Sequence, residues 1–438
     1  MNKKLIHLFL LSCLCIVPLS EAMALDIQQW KTSNGVRVLF VESHDLPMID
    51  VRVTFKAGSS RDAEHPGVSR LVNGLLVEGT GQMTAEDIAE TFESTGSQLG
   101  HSSLRDMAYV SLRTLSDLEL RNKTADLFAR VIALPAFPEE AIERDRQSML
   151  IGLAERAKDI GSVIGDAFFE QLYQSHPYQQ GPQGTETSLK QINRQHLVEF
   201  HKQYYVAHNA TLALVGDLTL AEAKQYVQQL THYLKPGTAA EGIPQVMSVE
   251  QAQSETIEIP FKSTQTHIMQ GMPVLSRKDP DYFSLYVGNH ILGGSGFSSR
   301  LMQEIRENRG LVYSVYSYFM PMEGKGPFEM SLQTSTENAQ QAVELLDKLL
   351  QDFINKGPHP QEVEHAKKNI TGGFPLKIDS NKKIVEYLSV IGFYDLELDY
   401  LDSFNARINA VTLESIKDAF QRRVNPDKMT RIIVGESS

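Results

Sequence analysis

The sequence of 438 residues is poor in cysteine and in clustered positive charge. Its two cysteines, Cys13 and Cys15, both lie near the amino terminus. The rest of the chain has no thiol, which excludes disulfides, iron–sulfur clusters and cysteine nucleophiles there. The formal net charge is −12, and no block of lysine or arginine follows the first few residues. Because a nucleic-acid-binding surface needs a basic patch, nucleic acid is not an expected partner.

The first 24 residues have the layout of a secretory signal peptide. Lys3 and Lys4 precede an apolar run at 5–19, and Ala-Met-Ala at 22–24 fits a cleavage site. We therefore exclude residues 1–24 from the fold and expect an exported protein, in the bacterial periplasm or outside the cell. An apolar run of about 15 residues is short for an uncleaved anchor, since a spanning helix needs about 20. Cleavage removes two basic residues and one acidic residue, which leaves a net charge of −13.

A turn-rich stretch of low hydrophobicity, residues 235–255, is the best candidate for a linker. It divides the mature chain into halves of similar size, residues 25–234 and 256–438. "FPEEAIERDR" around Pro138 resembles "HPQEVEHAKK" around Pro360, at an offset of 222 residues. The segments "LVGD" and "IVGE", which close the two halves, are 219 residues apart. Two matches at nearly one offset indicate an internal duplication.

The two halves also share an order of predicted elements. Alternating apolar residues predict strands at 36–43, 49–58, 107–115 and 210–216, and then at 255–261, 266–274, 313–320, 328–335 and 430–435. Helical patterns are found at 67–80, 84–95, 117–132 and 138–157, and then at 282–292, 299–308, 337–355 and 360–372. Strands mixed with helices in this way predict an α+β fold with two homologous halves, each a mixed or antiparallel sheet with helices packed on it.

The predicted helix "GVSRLVNGLLVEGT", residues 67–80, has one apolar and one polar face. Its apolar side chains recur at i, i+3, i+4, i+7 and i+8, as expected for a half-buried helix. Arg70, Asn73 and Gly74 share the opposite face. This is the spacing at which His-x-x-Glu-His places two imidazoles on zinc and a carboxylate beside the activated water.

At this helix the chain resembles the insulinase (pitrilysin) family of inverzincin metallopeptidases, particularly its short, processing-peptidase-like members. The resemblance runs from "FKAGSSRDAEHPGVSRLVNGLLVEGT" through "ERDRQSMLIGLAE" to "VGD" at the end of the first half. It implies two halves arranged as a clamshell. It also implies that the family's zinc histidines fall on Arg70 and Gly74 and its catalytic glutamate on Asn73. None of these groups is retained, and a permanent cation at position 70 would repel a divalent ion. We therefore expect neither a bound metal nor a catalytic residue in this chain.

The family's third zinc ligand is a glutamate on a later helix. By resemblance it would fall near Ile151 or Gly152. Residues 148–154 contain no carboxylate. Glu155 is the nearest one along the chain, and we expect it to be solvated.

The remaining histidines offer no clear metal site. His196 and His201 are five residues apart, about 140° around a helix, so they do not share a face. In "QEVEH" at 361–365, a glutamine stands where the inverted zinc motif needs its first histidine. Three others are isolated in the sequence and are expected to be packed or hydrogen-bonded: His65, His101 and His290.

The second half contains "GGSGFSSRLMQEIRENRGLVYSVYS", residues 293–317. Family members carry an arginine and a tyrosine seven residues apart after "SRL", which reach the bound peptide. The resemblance therefore implies that Arg306 and Tyr313 bind substrate, where a guanidinium and a phenol can donate to an oxyanion-like transition state. From spacing alone, a solvated arginine and a core tyrosine are the alternative. Gly310 should end the helix between them, and Arg309 is the second candidate for the cation.

Gly293, Gly294 and Gly296 form a glycine-rich loop. A phosphate-binding role is not expected, because no Lys-Ser/Thr follows. The resemblance implies a different association: zinc-free processing-peptidase subunits carry a longer glycine-rich loop at a similar place, which is linked to substrate access.

Some short family members divide the zinc motif and the Arg/Tyr pair between two chains. The leading hypothesis is therefore a zinc-free, non-catalytic subunit of an exported two-chain zinc metallopeptidase. Its homologous partner would carry an intact His-x-x-Glu-His motif and the zinc. The substrate would be an unfolded or short peptide, bound in extended form at a sheet edge near "LGHSSLRDMAYV". One alternative is a stand-alone periplasmic peptide-binding or scaffold protein, or a homodimer if no partner exists. The other is a metallopeptidase with noncanonical ligands.

Overall fold

The computed structural model describes residues 25–246 and 254–436. The signal peptide predicted at residues 1–24 lies outside the described residues, as do residues 247–253 of the predicted linker. The described part of that linker, residues 235–246, forms neither helix nor strand.

Each half combines one sheet with several helices. The strands of the first half are β1 (Gln28–Lys31), β2 (Arg37–Glu42), β3 (Met48–Phe55), β4 (Gly79–Thr80), β5 (Met83–Thr84), β6 (Gln98–Ser103), β7 (Ala108–Leu115) and β8 (Ala210–Gly216). Its helices are α1 (Val68–Leu75), α2 (Ala85–Ser94), α3 (Leu118–Ala133), α4 (Glu139–Arg156), α5 (Ile160–Tyr173), α6 (Glu186–Gln191), α7 (Arg194–Tyr204) and α8 (Leu220–Thr231). The strands of the second half are β9 (Glu255–Pro260), β10 (Gln265–Leu275), β11 (Ser314–Phe319), β12 (Gly326–Ser335) and β13 (Thr430–Gly435). Its helices are α9 (Tyr282–Asn289), α10 (Ala339–Lys356), α11 (Pro360–Gly373), α12 (Asn381–Phe393), α13 (Tyr400–Ala410) and α14 (Leu413–Arg423).

The two main sheets have the same topology. The first has the order β1-β2-β8-β3-β7-β6 and the second β11-β12-β10-β13-β9. Read in opposite directions and without β1, the orders are equivalent, because β2, β3, β6, β7 and β8 correspond to β9, β10, β11, β12 and β13. In each sheet the last strand runs parallel to the first strand of the shared set, and the other pairs are antiparallel. The α+β class with two homologous halves of mixed sheet and helices is confirmed.

The halves are joined by an exchange of equivalent helices. Helix α5 of the first half packs on β10 and β13, and α12 of the second half packs on β3 and β8. Every residue of β8 is buried, because helices cover both faces of this strand. Leu212 and Leu214 face the core of the first half, whereas Ala213 and Val215 join the core that contains α12. Each sheet therefore needs a helix from the other half to complete its core.

Polar contacts accompany this exchange. The hydroxyls of Thr54 on β3 and Ser389 on α12 lie 2.6 Å apart, and both residues are buried. Beside them, Arg52 Nη2 lies 3.2 Å from Glu386 Oε1. A buried hydroxyl pair costs free energy unless it is satisfied, so these contacts favour one position of α12 on the sheet.

The sequence patterns placed most elements within a few residues, with three differences. Helix α1 ends at Leu75 rather than near residue 80, because residues 79–80 pair with β5 as the short strand β4. The helix expected at 299–308 is a π-helical turn at Met302–Glu307. The predicted elements do not include four strands and six helices of the structure: β1, β4, β5, β6, α5, α6, α8, α12, α13 and α14. Among the described residues, the helices are too short or too polar to cross a bilayer.

We predict that Gly392→Ala destabilises the fold. A Cβ built at Gly392 on α12 would lie 2.4 Å from Thr211 Cγ2 and 2.8 Å from Leu39 Cδ1, both on the sheet of the first half. Overpacking of this kind lowers the unfolding free energy by about 1–3 kcal/mol. Urea titration of each variant measures this change. Gly372→Ala is the matched control, because a Cβ at that helical glycine meets nothing within 4 Å. If both variants have the same stability, the close packing of α12 on β2 and β8 is not a constraint.

Candidate functional site

Helix α1 is fixed at its amino end by a buried carboxylate. Asp62 accepts hydrogen bonds from the backbone N–H groups of Gly67 (2.7 Å) and Ser69 (3.0 Å). Gly67 has φ +99°, a left-handed conformation that suits glycine at this sharp entrance to the helix. Burial raises the pKa of Asp62 to about 7, although the two N–H groups act in the opposite direction. The acidic turn before the motif is thus a structural cap of α1.

Asn73, at the family's glutamate position, is committed to structure. It is only 2% exposed. Its Nδ2 donates to the Tyr109 carbonyl at 3.2 Å and to the Tyr205 hydroxyl at 3.3 Å. Its Oδ1 lies 3.3 Å from Nδ1 of His101. Asn73 is thus held by hydrogen bonds, and its neutral amide is not a base that could take a proton from water as a glutamate can.

His101 lies on β6 beside Asn73. Both N–H bonds of the Asn73 amide are used, so the amide oxygen faces His101 and the proton is assigned to Nδ1. Desolvation lowers the pKa of His101, although Asp145 and Glu78 act in the opposite direction. The ring is therefore neutral near pH 7, with Nε2 as a hydrogen-bond acceptor. This contact is not predictable from local sequence patterns, since residues 73 and 101 are far apart along the chain.

Arg70 and Gly74 stand at the two histidine positions. Arg70 is exposed, and its side chain forms no ion pair or hydrogen bond within residues 25–246 and 254–436. Gly74 is half-buried, and a Cβ built on it would lie 3.7 Å from Asp145 Oδ2. Neither position offers a group that binds zinc, so the residues of this helix do not fit the family's metal.

A cavity of about 520 Å³ lies against this face of α1. All of its lining residues belong to the first half: Arg70, Leu71, Asn73, Gly74, His101, Ser102, Ser103, Asp145, Ser148 and Met149. The site retains a pocket, but its walls are polar and contain a single carboxylate. Within the described chain, no cluster of three or more histidine, cysteine, aspartate or glutamate side chains could hold a metal ion.

Near the position expected for the family's third zinc ligand, the carboxylate that faces α1 is not the one considered from the sequence. Ile151 is 64% exposed, and Gly152 has no neighbouring atom within 4 Å of a built Cβ. Glu155 is exposed and pairs with Lys158 at 2.8 Å, as a solvated helix residue. The carboxylate that faces α1 is Asp145, six residues before Ile151 on α4, and it was not among the residues predicted from the sequence.

The other histidine candidates have structural roles. His201 Nε2 lies 2.7 Å from the Ile132 carbonyl, and burial lowers the pKa of His201 to about 4. His65 is packed, as expected, because its ring stacks on His196 at 3.9 Å between centroids. In the "QEVEH" segment, Glu364 pairs with Lys368 at 2.6 Å on an exposed helix face.

In the second half, Arg306 and Tyr313 lie on either side of a left-handed turn. Gly310 has φ +64°; its N–H donates to the Arg306 carbonyl, and the N–H of Leu311 donates to Ile305. This is the helix end expected from the sequence. The Arg306 guanidinium lies 5.1 Å from the Phe297 ring centroid and 3.9 Å from Glu307 Oε1. Arg309, the second candidate, is held by Glu304 at 2.6 Å.

Tyr313 is 57% exposed and immediately precedes β11, an edge strand of the second sheet. Tyr316 and Tyr318 on β11 are also exposed, at 41% and 51%. Tyr313 is therefore not a core tyrosine, which was the alternative from spacing alone. Neither Arg306 nor Tyr313 lines the cavity at α1, so this cavity contains residues of only one of the two predicted sites.

The glycine-rich segment is tightly packed at its start. Gly293 and Gly294 belong to a π-helical turn, and a Cβ on Gly293 would lie 2.5 Å from the backbone nitrogen of Ser317 on β11. Gly296 follows in a left-handed conformation with φ +61° and open space around it. Close approach to β11 therefore explains Gly293, and only Gly296 lies in an open loop.

Residues 37–186 match the family description "Insulinase (Peptidase family M16)", and residues 191–370 match "Peptidase M16 inactive domain". A crystal structure of a peptidase M16 inactive domain from Pseudomonas fluorescens is 37% identical and has a TM-score of 0.91. That match covers 94% of this chain and 98% of the other. The chain belongs to the insulinase family. The resemblance seen around α1 is thus confirmed.

Two further members of the insulinase family cover almost the full length. A Helicobacter pylori protein named a non-peptidase homolog is 25% identical over 94% of this chain and 95% of its own. A Bacillus subtilis protein named an uncharacterized zinc protease is 25% identical over 93% of this chain and 98% of its own. The first name and the match to an inactive domain fit a non-catalytic member of the family, whereas the second name leaves zinc in that relative open.

We predict that Asn73→Ala lowers stability while Arg70→Ala does not. The first change removes the partner of Tyr205, His101 and the Tyr109 carbonyl, and groups left unsatisfied cost about 1–3 kcal/mol. The second removes an exposed side chain, so its effect should stay within about 0.5 kcal/mol. Urea unfolding followed by far-UV circular dichroism measures both. Equal stability of the two variants would show that the Asn73 network is not structural.

His201 should give the fold a pH dependence. Its folded pKa of about 4 lies below the ordinary value of 6.5, so the unfolded chain binds the proton more readily. The stability from this group is fully present above pH 6.5 and is lost as the pH falls toward 4. Between about pH 7 and pH 5, the wild type should lose about 1–2 kcal/mol more unfolding free energy than His201→Gln. Parallel losses in both proteins would assign the titration to another group.

Proposed function

We propose that this chain is the zinc-free subunit of an exported two-chain zinc metallopeptidase. In this proposal it contributes a wall of the substrate cleft and the Arg306/Tyr313 pair to a homologous partner with an intact His-x-x-Glu-His motif. The partner holds the zinc and activates the water. Residues 1–24 are the basis for export, with the periplasm as the proposed compartment.

The proposal rests on a contrast between helix α1 of the first half and the Arg306/Tyr313 pair of the second half. Asn73 is closed off by hydrogen bonds, and no imidazole stands at positions 70 and 74, so the first half has no means of activating water. In contrast, Tyr313 is exposed immediately before an edge strand, and the half-buried Arg306 lies on the π-helical turn that precedes it. Two hydrogen-bond donors cannot hydrolyse a peptide bond without a nucleophile. The Arg306/Tyr313 pair can therefore act in peptide hydrolysis only beside another active centre.

The charge environment of Arg306 supports the same reading. Arg309 is tied to Glu304 at 2.6 Å, and Arg300 is tied to Glu362. Arg306 has only a 3.9 Å contact with its chain neighbour, and its guanidinium rests on Phe297. Among these three arginines, Arg306 is therefore the one whose donors remain available for a carbonyl oxygen.

The proposed substrate is an unfolded or short peptide. Strand β6 is an outer strand of the first sheet, and the edge that does not pair with β7 is available to an extended chain. Strand β11 is an outer strand of the second sheet, but its outer edge is partly covered, because Asn289 Nδ2 donates to the Ser317 carbonyl at 3.1 Å and Gly293 lies against the Ser317 backbone. The segment "LGHSSLRDMAYV" contains most of β6 and the start of β7.

The cavity at α1 favours a second candidate function, a stand-alone peptide-binding protein. Co-purification with a zinc-bearing homologue would favour the two-chain peptidase, and a peptide-binding monomer or homodimer the second candidate.

We predict that Arg306→Ala and Tyr313→Phe each lower kcat/KM of the reconstituted pair. Loss of one donor to a developing oxyanion typically costs about 10²–10³-fold in rate. Because Tyr313 is exposed and the half-buried Arg306 has only a 3.9 Å contact with Glu307, the unfolding free energy should change by less than about 0.5 kcal/mol. The measurement is cleavage of a quenched fluorescent peptide by the pair, with and without a zinc chelator.

The matched controls are Arg309→Ala and Tyr316→Phe, which change the same residue types in the same segment. Both should retain near wild-type activity. The proposal fails if the controls lose as much activity as the test variants, or if the chain alone cleaves the peptide in a chelator-sensitive reaction.

A further inference from the structure

The cavity at α1 contains a cation that no acid group neutralises. Arg70 and Asp145 both line it, yet they form no ion pair with each other. Asp145 is instead bound by Arg144 at 2.9 Å, and Arg144 also binds Glu78 at 2.8 Å. The positive charge of Arg70 is therefore available to an anion from outside the described chain.

Gly74 leaves this cavity open, and no close packing contact requires a glycine at this position. A Cβ there would make only an ordinary contact, 3.7 Å from Asp145 Oδ2, so alanine fits sterically. Glycine inside a helix is less stable than alanine. A residue that costs stability, fills no tight space and borders a pocket is typical of a binding site.

The remaining wall groups suit the end of a peptide. Ser102, Ser103 and Ser148 supply hydroxyls that both donate and accept, and His101 Nε2 accepts. Asp145 is the only acid in the lining, and its Oδ1 is held by Arg144. Its Oδ2, on the Gly74 side, can accept a peptide N–H. A cavity of about 520 Å³ is within the range that holds small ligands.

We propose that this cavity, at the former zinc position, binds the C-terminal carboxylate of a peptide through Arg70. The guanidinium presents paired N–H donors that match a carboxylate in bidentate geometry. A peptide terminus is the occupant that supplies both an anion for Arg70 and backbone N–H groups for Asp145 and His101. The site does not require the two-chain peptidase, because every residue in it belongs to this chain.

The geometry also gives the direction of the bound peptide. Ser103 Oγ lies 3.2 Å from Ser69 Oγ, and His101 contacts Asn73, so α1 runs antiparallel to β6. Arg70 therefore lies beside the carboxyl end of β6. A peptide that ends at Arg70 extends back along the free edge of β6, parallel to that strand.

Binding to the full mature chain tests the proposal directly. Two pools of short random-sequence peptides, fluorescein-labelled at the amino end, differ only in a free or an amidated C-terminus. Fluorescence anisotropy should show that the free-acid pool binds about tenfold more tightly, the size expected for one charge-assisted pair. Arg70→Gln should abolish this difference, and Arg70→Lys should retain part of it.

Two further variants separate the pocket from general effects. Arg130→Gln removes an exposed arginine that pairs with Asp126 on α3, outside the cavity, and should leave the preference unchanged. Gly74→Leu should weaken binding of both pools by filling the cavity, and Gly74→Ala should raise the urea midpoint. Equal affinity for both pools, a preference that survives Arg70→Gln, or no binding of either pool would overturn the proposal. None of these outcomes depends on hydrolysis by a reconstituted pair.

Discussion

The exchange of α5 and α12 is the constraint on which the rest of the structure depends. Each helix completes the core of the opposite sheet, so neither half has its own full set of covering helices. A built Cβ on Gly271 would lie 2.9 Å from Phe168 of α5, and one on Gly392 would lie 2.4 Å from Thr211, which shows how closely the exchanged helices approach both sheets. The two homologous halves therefore form one interlocked unit and are not two independent domains joined by a linker. Such a body can keep the shape of a metal site after the ligands have been lost.

Position 73, where the family's catalytic glutamate would fall by resemblance, is occupied by a residue that packs locally. At position 73 an amide can donate to the Tyr109 carbonyl and also accept from His101, and a carboxylate could not do both. Asn73 therefore ties α1 to β6 and β7 and to Tyr205. Helix α1 is a structural element with a polar cavity beside it, and Arg70 gives that cavity a positive charge.

The sequence predicted what depends on local pattern. Alternation located most strands and helical periodicity about half of the helices, and spacing along α1 identified residues 70, 73 and 74 as a single face. It could not place α5 and α12, because their apolar residues match the surface of the other half, which no local period reveals. It also missed His101 and Asp145 as neighbours of α1, since strand pairing and helix packing bring them together across 28 and 71 residues from Asn73 and Gly74. The stack of His65 on His196 is another contact of this kind.

The central claim is that this member of the insulinase family holds no catalytic zinc of its own. The most direct measurement is the metal content of the purified chain after incubation with zinc and removal of free ions, by inductively coupled plasma mass spectrometry. The account predicts far less than one zinc per chain, with no further loss upon brief chelator treatment. One zinc per chain, removed by the chelator and reduced by substitution of His101 or Asp145, would contradict it.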